Sequence, residues 1–251
     1  MKISITESNK NRILGIVLWI TLWEVAYLII DQAIYLPSPF HVIQSFMNLI
    51  IAPDFYKVII LSSWRVLISF IIAAFFGIVA GFFCGINKKA YEIFEPFVIL
   101  LRSTPVIAVI ILAIVWLPSN YVPIFSGFLM CFPIIFTNMH EGIEMTDVKL
   151  IEMSKIYQIT NYSIFKDIYL PSSMPYIKAG LSTALGLSWK VIAAAEVLSL
   201  PKYAIGSHLY DSKVYLEIAD LFAWTLVIII LSYIFNHLLA KLFYRNNSLK
   251  R

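Results

Sequence analysis

Residues 141–175 read EGIEMTDVKLIEMSKIYQITNYSIFKDIYLPSSMP. They form a conspicuous polar interruption in a chain that is otherwise strongly apolar. Ile143, Val148, Ile151, Met153 and Ile156 sit among charges in a mostly amphipathic pattern, which predicts a short helix. Thr160-Asn161 is a natural break, with Asn161 or Ser163 capping a second short helix. Ile164, Phe165, Ile168 and Tyr169 then share an apolar face. Pro171 and Pro175 are expected to end that helix and to fix the entry into the next apolar run. Two short amphipathic helices held against a membrane face make a rigid knob.

The chain on either side explains why a membrane face is available. Of 251 residues, 60% are hydrophobic and 14% charged, against roughly 45–50% and about 25% in soluble domains. Apolar surface on this scale needs lipid as its solvent. A soluble enzyme, a disordered tail and a nucleic-acid reader are excluded. Six apolar segments predict spans at about 12–31, 60–86, 96–117, 122–140, 176–199 and 219–243, in a single membrane domain over 1–251. The first is read as an uncleaved helix rather than a signal peptide. With the N-terminus inside, twelve Lys and Arg fall on inner segments, from Lys2 to Arg251. The outer connections hold only Lys202 and Lys213, with Lys57 at a span edge. Both termini and the 141–175 loop are therefore expected in the cytoplasm.

The chain lacks the usual chemistry of an enzyme. No glycine precedes a lysine as a nucleotide-binding loop requires. His41, His140, His208 and His237 are scattered without metal-ligand spacing, so no metal site is expected. Cys84 and Cys131 lie inside apolar runs and read as small core residues. Energy for any work must come from a partner or from an ion gradient.

The knob carries a recognisable pattern. Glu152-Met153-Ser154, three residues, Gln158, nine residues and Ile168-Tyr169-Leu170-Pro171 resembles the signature of the permease subunit of type I ABC importers, E-A-A, three residues, G, nine residues, I-x-L-P. Met153 and Ser154 replace the two alanines, and Gln158 replaces the glycine. Leu36-Pro37-Ser38-Pro39, Leu101-Arg102-Ser103-Thr104-Pro105, Ala184-Leu185-Gly186-Leu187-Ser188-Trp189, Ala194-Ala195-Glu196-Val197 and Ile205-Gly206 are similar to the nitrate/sulfonate/taurine branch. The resemblance implies an all-α, polytopic, six-span permease in the bacterial inner membrane, paired with a second copy of itself and surrounded by lipid. It implies that the knob, with Tyr157 and Asn161 at its turn, docks on a cytoplasmic ABC ATPase dimer. ATP and Mg belong to that partner, and this chain binds no cofactor. An external substrate-binding protein delivers a sulfonate, nitrate, taurine or similar solute. Permeases for thiamine precursors and other vitamin-like solutes such as riboflavin share much of the pattern. An ion-gradient-driven transporter is the alternative of another class, with only Glu24 and Glu196 available for a carboxylate relay.

Ionisable side chains inside spans cost at least about 2.5–3.5 kcal/mol at the bilayer centre and need a reason. Ser182, Gly186, Trp189, Ala193 and Glu196 lie on one face of the fifth span, and Lys190 lies on an adjoining small-residue stripe. The family resemblance implies that this span lines the translocation path. Lys190 and Glu196 are its candidate charges, with a structural pairing as the other reading. Arg65 and Arg102 are expected to snorkel from span ends, and Arg102, just before Pro105, is a candidate inner gate.

Overall fold

The computed structural model describes residues 3–248, with side chains for residues 10, 11 and 13–243. Lys2, Lys250 and Arg251 lie outside the described residues, as do the side chains of Arg12 and Arg245. All regular elements described are helical: α1 (Ile3–Ile30), α2 (Pro39–Ile51), α3 (Phe55–Ile86), α4 (Lys88–Ser103), α5 (Val106–Trp116), α6 (Val122–Glu144), α7 (Val148–Ile156), α8 (Asn161–Ile164), a π-helical turn (Phe165–Tyr169), α9 (Leu170–Ser199), α10 (Ile205–Val214) and α11 (Ile218–Ser248).

α3, α6 and α9 form the core. α3 and α6 run parallel along a seam made by Gly77, Gly81 and Gly85. A Cβ added at these positions would lie 2.9 Å from Ile135 Cβ, 2.7 Å from Phe136 O and 2.6 Å from Ile143 Cβ, in that order. Only a residue without a side chain lets the backbones come this close, which is how apolar helices gain contact in lipid. α9 runs antiparallel to α6. Gly142 abuts Ser173 and Gly180 abuts Asn138, and the Cys131 thiol reaches the Ala184 carbonyl at 3.3 Å. α1 stands apart, its apolar stretch from Ile13 to Ile30 unburied. Trp23 ties it down through a hydrogen bond to the Pro37 carbonyl (3.0 Å) and contact with Phe222.

Several boundaries differ from the sequence expectation. Among the described residues five helices are long and apolar enough to span, and α4 with α5 forms a sixth unit bent by 99°. The run expected as one span over 96–117 is therefore broken. Thr104 is extended (φ −75°, ψ 127°), because a residue before proline is steered out of helical geometry. The 141–175 loop is also far less of a loop than its polarity implies. α6 persists to Glu144, and helix resumes at Asn161. Pro171 and Pro175 do not end a helix: a π turn over 165–169, with Leu170 N–H bonded to the Phe165 carbonyl, widens the backbone just ahead of Pro171, and the helix continues through both prolines. Two connections also hold helices that the apolar pattern left out. α2 begins at the Ser38 cap, whose hydroxyl accepts from His41 N–H, with Pro39 at its first position. α10 follows the left-handed Leu200 (φ 47°) and Tyr203 (φ 54°).

A buried ion pair closes the end of the core opposite α7. Arg65 Nη1 donates to Glu196 Oε1 at 2.9 Å, with both side chains buried. Ser62 Oγ donates to the same carboxylate at 2.8 Å, and Gly206 N–H donates to Oε2 at 3.0 Å. Ser62 Oγ in turn accepts from Ile205 N–H at 3.0 Å. Arg65 also reaches Asn120 Oδ1 (3.3 Å) and the carbonyls of Lys202 and Tyr203 (both 3.4 Å). Arg65 therefore does not snorkel. It joins α3, the turn before α6, α9 and the start of α10 at one point. Removing one member leaves the other charge buried and uncompensated, which costs about 3–5 kcal/mol. Arg65→Met is expected to show this loss in thermal unfolding of the detergent-solubilised protein. Arg65→Met combined with Glu196→Met is expected to regain at least half of it. Equal losses in the single and double variants would contradict the pairing.

Candidate functional site

The residues of the predicted knob form α7, a tight turn, α8 and the π turn in succession. Asp147 caps α7, its carboxylate accepting from Lys149 N–H at 2.9 Å. α7 ends in a reciprocal hydrogen-bonded turn. Ile159 N–H reaches back to the Ser154 carbonyl (2.9 Å) and Gln158 N–H to the Lys155 carbonyl (3.1 Å). Such a turn needs a left-handed residue, normally glycine, and Gln158 adopts it with φ 52°. The glycine geometry of the family pattern is thus kept by a residue that is strained in it. Thr160, not Asn161 or Ser163, caps the next helix, its hydroxyl accepting from Ser163 N–H at 3.3 Å.

Burial divides the knob into an anchored side and an open side. Ser154 is fully buried, and its hydroxyl bonds to the Ile151 carbonyl at 2.7 Å, so only a small residue fits where the family pattern has its second alanine. Phe165 and Tyr169 meet Phe82 edge-on, with centroids 4.9 and 6.0 Å away, which fastens the knob to α3. Ile168 and Leu170 are half-buried, while Glu152, Asn161 and Pro171 are exposed. The outer surface is apolar: Met145, Val148, Met153, Ile156, Tyr157 and Tyr162 are all exposed, Ile156 at 79% and Tyr157 at 74%. A rigid apolar knob ringed by charge offers docking rather than catalysis.

The stripe proposed on the fifth span is split by the structure. Lys190 and Ser182 are exposed on α9, and Gly186 and Ala193 are half-buried. Trp189 is buried against Phe235, and Glu196 is held by Arg65, Ser62 and Gly206. Both belong to the interior of this chain and not to an open face, because the helix turns them toward α3 and α11. The opposite charge that Glu196 requires comes from α3, and Lys190 is left without an acidic partner among the described residues. Arg102 is exposed on the last turn of α4. There it borders a cavity of about 130 Å³ between α4 and α6, which sequence reading did not anticipate. Among the described residues no group of three or more His, Cys, Asp or Glu side chains is placed to hold a metal ion.

Residues 73–248 match the family described as the binding-protein-dependent transport system inner membrane component. Among similar proteins, a probable ABC transporter permease of Brucella melitensis is 29% identical over 208 residues, covering 82% of this chain and 84% of its own length. The putative aliphatic sulfonates transport permease SsuC of Bacillus subtilis is 25% identical over 83% of this chain and 76% of its own. The nitrate import permease NrtB of Synechococcus elongatus is 28% identical over 78% and 73%. An inward-facing structure of the MetNI methionine ABC transporter superposes with a TM-score of 0.62 at 17% identity, covering 78% of this chain and 99% of that one. That last likeness concerns the fold.

The strained turn generates a prediction. Relieving the left-handed Gln158 with Gln158→Gly is expected to stabilise the α7 turn by up to about 1 kcal/mol, after glycine's own entropy cost. Amide exchange at Ile159 then slows up to about fivefold. Faster exchange in that variant would contradict the reading.

Proposed function

Because this chain belongs to the binding-protein-dependent transport inner membrane component family, and is the permease subunit of a type I ABC importer, we propose how its parts divide the work. Two copies enclose a path for a small oxyanion such as a sulfonate or nitrate, the solutes named for the relatives SsuC and NrtB. The α7 knob faces the cytoplasm, as the Lys and Arg bias suggests, and docks on a separate ATPase dimer. An external binding protein delivers the solute to the end closed by Arg65 and Glu196.

Lys190 carries this reading. It lies nine residues from the end of α9, about 14 Å along the helix, and it is exposed. An ammonium held there against lipid costs at least about 2.5–3.5 kcal/mol. Water in a path between two copies removes that cost, and an anion passing through it gains an attractive charge. Ser182, Gly186 and Ala193, small or polar on the same side of α9, leave room for such a path.

The mechanism follows from rigidity. ATP closes the partner dimer and carries the two knobs with it. The knob is fastened to α3 through Phe82, and α3 to α6 through the glycine seam, so its displacement moves the core as a body. The path then opens alternately to the two sides, a two-state change biased by nucleotide on the partner. Vesicles reconstituted with ATPase and binding protein test both ends of this chain of events. Lys190→Ala is expected to cut sulfonate uptake at least tenfold with ATP hydrolysis retained. Ile156→Asp is expected to abolish stimulation of hydrolysis by the loaded binding protein. Wild-type uptake in both variants would overturn the assignment.

A further inference from the structure

The cavity between α4 and α6 is polar at both ends and apolar between them. α4 contributes Tyr91, Glu95 and Arg102, and α6 contributes Phe136, Thr137 and His140. Glu95 and Arg102 lie seven residues apart, two turns along the same face of α4, so their backbones stand about 10 Å apart. They do not pair with each other, and no carboxylate lies within ion-pairing distance of the Arg102 guanidinium among the described residues. Glu95 is held in place: the Tyr91 hydroxyl donates to its carboxylate at 3.1 Å. The Tyr91 ring is itself fixed by stacking on His140, with centroids 4.0 Å apart and planes 3° from parallel. His140 Nδ1 is buried and has no hydrogen-bond partner among the described residues. The His140 ring lines the cavity, while Nδ1 is closed off from it.

We propose that this cavity binds a short aliphatic zwitterion, with its ammonium at Glu95 and its oxyanion at Arg102. The inference rests on the permease reading and narrows its solute class. A simple anion satisfies Arg102 but meets repulsion from Glu95. A simple amine meets the reverse. A molecule with both groups on a two- or three-carbon spacer satisfies both poles and lays its methylenes against Val98, Ile99 and Phe136. A volume of about 130 Å³ leaves room for a small ligand rather than a single water.

Binding of three probes to the full chain with its ATPase, measured by calorimetry, tests this. Taurine carries both charges, ethanesulfonate lacks the ammonium, and nitrate lacks both ammonium and spacer. Taurine is expected to bind at least tenfold more tightly than either. Glu95→Gln is expected to bring taurine down to the level of ethanesulfonate, and Arg102→Gln to weaken taurine and ethanesulfonate alike. Equal binding of the three probes to the unaltered protein would overturn the proposal without recourse to any variant. Taurine preference that survives Glu95→Gln and Arg102→Gln would overturn it too, by putting the ligand elsewhere. ATP-driven uptake of nitrate alone, with Glu95→Gln neutral, would sink the zwitterion site and leave the permease reading standing. Absence of ATP-driven uptake for every solute would sink that reading instead.

Discussion

The ion pair between Arg65 and Glu196 is the constraint from which the far end of this protein is built. A carboxylate and a guanidinium buried among apolar helices are tolerated only when each is fully partnered. Here the partners come from four places in the chain: Ser62 beside Arg65, Asn120 before α6, the carbonyls of Lys202 and Tyr203, and the first amides of α10. Meeting that demand sets where α9 stops and where α10 starts. It also explains Gly206, where a Cβ would lie 2.4 Å from that of Glu196. The pair therefore serves as a clamp on the core.

At the opposite end, apolar packing does the corresponding work. The π turn below α7 is held by Phe82 against Phe165 and Tyr169, and α6 meets α9 there through Gly142 against Ser173. Between clamp and knob, the glycine seam of α3 and α6 leaves little slack, since close-packed interiors transmit displacement rather than absorb it. A subunit that must turn a partner's motion into alternating access benefits from a stiff core with one apolar handle. The strained Gln158 sits at the base of that handle.

Much of this was legible in the sequence because lipid imposes simple rules. Long apolar runs must become helices, so α1, α3, α6, α9 and α11 follow from hydropathy alone. The knob was legible from amphipathic periodicity and from its resemblance to a known pattern. What escaped was set by contacts across long separations or by local backbone chemistry. Arg65 and Glu196 stand 131 residues apart, and read singly each suggested a different role. Taken together they carried a signal: opposite charges near the same end of two antiparallel spans. The bend at Thr104-Pro105 was marked by the proline but hidden by the continuous apolar run around it. The π turn before Pro171 left no mark in composition at all. The cavity of Glu95 and Arg102 escaped because 96–117 was read as one straight span and Glu95 as part of the connection before it.

On the proposed mechanism, Lys190 of α9 faces an aqueous path that changes sides with nucleotide. Cys84 and Cys131 are buried and give a quiet background for thiol labelling. The direct measurement is reaction of Lys190→Cys with a membrane-impermeant maleimide in vesicles containing the assembled transporter. Labelling is predicted from the α7 side without nucleotide and from the opposite side when ATP is trapped on the partner. Position 190 reacting only with a lipid-soluble reagent, in both states, would contradict the account.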